Sequence, residues 1–170
     1  MRLTDQDARW LSENLRKVDV LRDLSDPELS VLSRAIEKVG MASGDVILRQ
    51  GQRAEAFYLI RSGTVSVWAE TPDGSERLAV LKEGESFGEV SILTGQACNA
   101  GAIADQDCVL FSLSPKALRK VVKANPSLAE KMSRAVAERR GARALGIDIA
   151  PAQAAGLLDK VRGFFGVRAP

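Results

Sequence analysis

The 170-residue sequence contains no histidine. That removes Ser–His and Cys–His nucleophile pairs, imidazole general bases and His-ligated metals together. Its two cysteines, Cys98 and Cys108, stand apart without a second cluster, so neither a structural zinc site nor a disulfide framework is available. Long apolar runs are missing too. None approaches the ~20 residues needed to span a bilayer. The opening Met1-Arg2-Leu3-Thr4-Asp5 is polar and lacks the apolar stretch of a signal peptide. The expectation is a soluble, cytoplasmic protein. Positive charge is scarce until late in the chain: residues 1–114 carry 12 Lys+Arg against 18 Asp+Glu, whereas residues 115–170 carry 12 against 4. A basic final third can meet phosphates, acidic lipid or an acidic partner, or simply present solvated helix faces.

What is present reads as one domain with modest extensions. Thr4 or Asp5 can cap a first helix, with Leu11, Leu15 and Val18 on one face. Ser25 and Glu28 form a capping-box pattern with Pro27 in the first turn, and Leu29, Leu32, Ala35, Ile36 and Val39 follow at helical spacing. After Gly40 the pattern changes to short strands punctuated by glycine, ending near Leu113. Thr71-Pro72-Asp73-Gly74 is a hairpin turn. About eight strands at this spacing predict a small antiparallel roll. Helices then return, one starting at Ser114-Pro115 and the next at Asn125-Pro126. Residues 146–170 read as a weakly patterned linker and a short amphipathic helix from Leu157 to Phe165.

The stretch that carries chemistry is Phe87-Gly88-Glu89-Val90-Ser91-Ile92-Leu93-Thr94-Gly95. Gly84 and Gly88 allow the backbone to come close to a guest, and Gly88 opens a helix of one to two turns. A helix start inside a barrel presents free N–H groups to an anion. Glu89 there would be a buried carboxylate, and a sugar with vicinal hydroxyls supplies the hydrogen bonds that such a group needs. A tight turn capped by Glu89 is the plainer reading of the same residues.

The surrounding motifs decide between them. Leu21-Arg22-Asp23-Leu24-Ser25, Gly44-Asp45-Val46-Ile47, Gly51, the run from Phe57 to Val67 and the run from Phe87 to Gly95 together resemble the cyclic nucleotide-binding domain family over about residues 20–145. The resemblance implies an α+β fold: an antiparallel eight-stranded β-roll of jelly-roll type, about residues 40–113, flanked by helices, those after the roll at about 115–145; the N-terminal helix at 1–19 lies before the resemblance and is read from the residues themselves. It implies that residues 84–104 are the phosphate-binding cassette, with Phe87, Gly88, Glu89, Val90 and Ser91 in its helix turn. It further implies that Glu89 binds the ribose 2′-hydroxyl and that backbone N–H groups near Gly88 and Val90 face the cyclic phosphate. The helix ending Ala137-Glu138-Arg139-Arg140-Gly141-Ala142 resembles the lid helix of the family's nucleotide-regulated bacterial potassium channels. That makes Arg139 a candidate contact for the base, against the alternative of a solvated helix face.

One departure bears on function. The family's cassette continues as Pro-Arg and small residues, but here the stretch reads Gln96-Ala97-Cys98-Asn99-Ala100-Gly101-Ala102. Cys98 stands where the phosphate-binding arginine is expected, and Asn99 and Gly101 where small hydroxyl residues often are. No Arg or Lys lies between Lys82 and Lys116. A charge-assisted hydrogen bond is worth ~1.5–3 kcal/mol, so its loss weakens nucleotide binding by roughly one to two powers of ten. Asn99 can donate from its amide without charge. Cys98 would be redox-active only if the helix terminus stabilised its thiolate; a small loop residue is the simpler reading. Cys108, on a strand, reads as core.

Two functions follow. The first is a non-enzymatic regulatory sensor that binds a cyclic nucleotide of the cAMP or cGMP class, weakly, and signals through its C-terminal helices. The second is a relative without ligand that serves as a protein-interaction or dimerisation module, through residues 126–165. There Leu157–Phe165 would plug the pocket or dock on a partner. No nucleophile, base and oxyanion constellation is visible, so an enzyme is not expected, and no cofactor beyond a nucleotide ligand is implied. Direct DNA binding is not expected, since the residues beyond 145 lack a helix-turn-helix pattern. Membrane contact is not expected either, because Lys160 and Arg162 are offset by Asp159.

Overall fold

The chain enters through Thr4, whose hydroxyl accepts from the Asp7 N–H at 3.2 Å while Asp7 accepts from the Thr4 N–H at 2.9 Å. This reciprocal box starts helix α1 (Asp5–Asn14). Two 3₁₀ turns, Leu15–Lys17 and Asp19–Leu21, continue the path and bury Leu15, Val20 and Leu21. Helix α2 (Asp26–Ser33) opens with the expected pairing of Ser25 and Glu28, at 2.8 Å from the Ser25 N–H. The computed structural model describes residues 2–137.

The roll comprises β1 (Glu37–Met41), β2 (Val46–Leu48), β3 (Phe57–Ser62), β4 (Val65–Thr71), β5 (Gly74–Leu81), β6 (Ser86–Phe87), β7 (Gly101–Ala104) and β8 (Cys108–Leu113). They form two four-stranded antiparallel sheets, ordered β1-β8-β3-β6 and β2-β7-β4-β5. Three more helices complete the described residues: α3 (Glu89–Thr94) inside the roll, then α4 (Pro115–Ala124) and α5 (Pro126–Ala137) after it. Ile60, Val65, Phe87, Leu110 and Leu113 are among the side chains buried in the core. This is the α+β roll with flanking helices that the sequence predicts.

Two local expectations change. The helical spacing from Leu29 to Val39 does not continue: α2 stops at Ser33, and the roll starts at Glu37, before Gly40. Residues 37–41 pair along their whole length with β8, from Glu37↔Ser112 to Met41↔Cys108, and that ladder outweighs a local 3.6-residue spacing. Helix α5 starts at Pro126 as the Asn125-Pro126 pair predicts, but Asn125 does not cap it with its side chain. Its amide donates back to the Val121 carbonyl at 3.0 Å and closes the end of α4. Ser114, by contrast, accepts from the Ala117 N–H at 3.2 Å and caps α4 as expected.

Two buried carboxylates tie the flanking helices down, one joining α1 to the roll and the other joining α2 to α5. Asp7, 3% exposed, accepts from Lys38 of β1 at 2.8 Å and faces Arg61 of β3 at 3.7 Å. Glu28, 8% exposed, accepts from Ser127 at 2.7 Å and Lys131 at 2.8 Å, both on α5. Burial pushes both carboxyls up, but the hydrogen bonds from Lys38 and Thr4, and from Lys131, Ser25 and Ser127, outweigh it and hold each at about 2.

A depressed carboxylate stabilises the fold above its unfolded pKa and loses that contribution as pH falls through the folded value. The shifts from 3.8 and 4.5 to about 2 correspond to about 2 and about 3 kcal/mol. Urea denaturation at fixed pH should therefore show stability falling between about pH 5 and pH 2. In Glu28→Gln that fall should be shallower by about 3 kcal/mol. Identical acid profiles for variant and parent would show that Glu28 does not carry it.

Candidate functional site

Strand β6 delivers the chain to the site. It pairs with β3 as Tyr58↔Phe87 and Leu59↔Ser86, and the Tyr58 and Phe87 rings stack with centroids 5.2 Å apart. Gly88 then turns the chain at φ +84°, and a Cβ there would lie 2.8 Å from the Ala56 carbonyl oxygen. Only glycine tolerates both the conformation and the approach. The turn leads straight into α3, with Glu89 first, Val90 second and Ser91 third. Ile92 and Leu93 are buried and anchor α3 in the roll. Glu89 is 4% exposed, a carboxylate held inside the roll in the first turn of a helix, where negative charge suits the helix dipole. Phe87, Gly88, Glu89, Val90 and Ser91 therefore share one turn of chain. Gly84 does not join them: it adopts φ +85° in the turn before β6, and the nearest atom to a Cβ there is Asn14 Oδ1 of α1, at 3.8 Å.

The returning limb, Gly95 to Ala100, is fixed from the other side by the loop between β2 and β3. The Cys98 N–H donates to the Gln52 carbonyl at 2.8 Å, and the Gly51 N–H donates to the Cys98 carbonyl at 2.8 Å. Ser91 completes the join. Its hydroxyl accepts from the Ala54 N–H at 2.8 Å and donates to the Gln96 carbonyl at 2.6 Å. One side chain thus holds α3, the limb and the β2–β3 loop together. Neither Ser91 in this positioning role nor the wall formed by residues 51–54 was foreseen from sequence, which named Gly51 only among the motifs of the family resemblance.

Cys98 is half-buried beside this join. Burial pushes its thiol up, and the Ser91 hydroxyl and Ala54 amide, which favour the thiolate, do not offset it. The thiol therefore stays protonated at neutral pH, and the thiolate needed for a redox role is not stabilised. Asn99 is exposed at the bend before β7. Cys108 is buried on β8, as the core reading expects. Arg139, the candidate base contact, and Leu157–Phe165 lie outside the described residues.

The sequence pattern of the cyclic nucleotide-binding domain matches residues 38–125, just over half of the chain and the whole of the site. The chain belongs to the cyclic nucleotide-binding domain family. A cAMP-dependent protein kinase regulatory subunit from Hypocrea atroviridis is 32% identical over 67% of this chain and 24% of its own length. The N-terminal domain of a transcriptional regulator from Streptomyces coelicolor superposes with a TM-score of 0.67 at 26% identity, over 79% of this chain and 95% of that one. A mutant regulatory subunit of a cAMP-independent protein kinase A from Trypanosoma brucei, bound to cAMP in its A site, superposes with a TM-score of 0.57. It is 24% identical, over 71% of this chain and 45% of that one. The chain spans about a quarter of the length of the curated relatives it matches here.

The region around the Gly88 turn is thus assembled by three segments, and Ser91 is where they meet. Ser91→Ala would strand the Ala54 N–H and the Gln96 carbonyl, at a cost of ~1–3 kcal/mol. Chemical denaturation should show that loss, and amide exchange should accelerate at residues 51–54 and 95–98 while β8 stays protected. Uniform acceleration across the roll would count against a local role.

Proposed function

We propose that this domain is a non-enzymatic sensor that binds a cyclic nucleotide of the cAMP or cGMP class and signals through α4 and α5. The observation that carries the reading is Glu89, a carboxylate 4% exposed in the cassette turn beside Gly88. A carboxylate in that position accepts from a sugar hydroxyl, and the backbone of the Gly88–Val90 turn meets the phosphate. Membership in a family whose relatives include a cAMP-dependent kinase subunit supports this choice of ligand. The same reading has the domain act in the cytoplasm, without a further cofactor. Binding is weak because Cys98 brings no charge to the phosphate.

The uncharged position supports a second reading, a domain that works without ligand as an interaction or self-association module. The Trypanosoma brucei relative is named for a cAMP-independent kinase, so the fold also serves where cAMP is not required. In this reading the contacts come from residues 126–165, and truncation after Ala155 should convert a self-associated protein to a monomer in light scattering.

Calorimetry separates the two. Under the first reading, cAMP or cGMP binds with a dissociation constant of about 1 μM or weaker. Glu89→Ala abolishes binding. Cys98→Arg improves it by about tenfold or more through one charged hydrogen bond. Nanomolar binding that survives Glu89→Ala would overturn the role given to Glu89. Absence of binding in both the parent and a folded Cys98→Arg variant would favour the second reading.

A further inference from the structure

The cassette brings no cationic side chain of its own to a phosphate. Residues 84–104 contain Glu85 and Glu89 and no Arg or Lys, so any cation for the ligand must come from another segment. The β2–β3 loop is a candidate, because it is hydrogen-bonded to the cassette. Gln52 accepts from the Cys98 N–H, and Ala54 donates to the Ser91 hydroxyl, so the residue between them is held against the cassette on both sides. That residue is Arg53. The Ala54 methyl also lies 3.7 Å from where a Gly88 Cβ would be, which brings the same loop up to the turn that opens α3. Arg53 is exposed, and among the described residues no hydrogen bond or ion pair engages it. Arg49, the other basic residue of this loop, is likewise exposed and stands just after β2, where its neighbours Leu48 and Gln50 lie against Gly101 rather than the Gly88 turn. The loop's one acid, Glu55, places its charge near Tyr58, whose phenol is raised by burial and by that charge.

We infer that Arg53 supplies the cation for the anionic phosphate of the bound nucleotide, in place of the side chain absent at position 98. The inference rests on the sensor reading above and identifies which residue meets the ligand's charge. A guanidinium suits this task because its fork of donors stays charged and can engage two phosphate oxygens at once. Its long stem allows approach from a neighbouring loop. Because Arg53 is solvent-exposed, the contact is screened and therefore sensitive to salt.

The test is calorimetric titration of the full chain with cAMP and cGMP, using the parent, Arg53→Ala, Arg53→Lys, Lys120→Ala, Cys98→Arg and the Arg53→Ala/Cys98→Arg double variant. Arg53 and Lys120 are both exposed, so the melting temperatures of their variants should match the parent. Arg53→Ala should weaken binding about tenfold or more, Arg53→Lys less, and Lys120→Ala not measurably, although it removes the same charge from α4. In the Cys98→Arg background the loss from Arg53→Ala should shrink, because the new arginine takes over the phosphate. Salt should weaken binding more steeply in the parent than in Arg53→Ala. Parent-like affinity in Arg53→Ala would overturn the inference and leave the sensor reading standing. So would binding seen only after Cys98→Arg, since Arg53 would then not suffice. If neither the parent nor Cys98→Arg binds a cyclic nucleotide, the sensor reading fails and this inference falls with it.

Discussion

The site depends on one close backbone approach. At Gly88 the chain turns at φ +84° with its Cα so near the Ala56 carbonyl that a methyl group would sit 2.8 Å from the oxygen. A bulkier residue would push the turn away from β3, and α3 would start outside the roll. With glycine there, Ile92 and Leu93 reach the core, and their burial fixes the helix axis. Glu89 is carried inside as a consequence. Burial of a carboxylate is unfavourable; here it follows from apolar neighbours one turn away and a glycine one residue before. The position of the buried acid therefore depends on the tight turn that carries it inside.

The site is connected to the C-terminal helices through short physical links. The strand that receives β6, β3, also pairs with β8, and β8 runs directly into α4. Helix α5 packs against the 3₁₀ turn Asp19–Leu21 and is tied to α2 through Glu28. Glu28 has two tasks with one carboxylate. It closes the capping box at Ser25 and it accepts from Ser127 and Lys131. A movement of α5 away from α2 would break both of the bonds that Ser127 and Lys131 make to Glu28.

Much of the fold was legible because its signals are local. Thr4 with Asp7 and Ser25 with Glu28 lie three residues apart, and short spacing is what a sequence displays directly. The strands and the hairpin at Thr71–Gly74 were visible through alternation and turn chemistry. Strand β1 was not, because its reason for being a strand lies some 70 residues away in β8. The wall of the site was hidden for the same cause. Ala54 and Ser91 are 37 positions apart, and nothing in either neighbourhood announces that an amide and a hydroxyl will meet. Asn125 shows a subtler limit: the start of α5 at Asn125-Pro126 was legible, but not that the Asn125 amide would also close the end of α4.

Charge is the remaining argument. Cyclic nucleotides carry one negative charge, and a pocket that buries it without a cation must rely on neutral donors alone. Neutral hydrogen bonds contribute about 1 kcal/mol each net, and charged ones about 1.5–3. The backbone at Gly88–Val90 can supply the first kind, while the cassette supplies none of the second. The protein therefore either binds its ligand weakly, recruits a cation from a segment that touches the cassette, or has given up the ligand and kept the fold. The join at Ser91 weighs on this choice. It holds the limb around Cys98 in place through hydrogen bonds within the chain, none of which needs a nucleotide. A cassette held by its own bonds spends less of the binding energy on folding the site. That partly offsets the missing charge, and it is equally what a scaffold without ligand would need. The same three-segment join thus serves both readings, and the residue that distinguishes them is whichever side chain brings positive charge to the turn at Gly88.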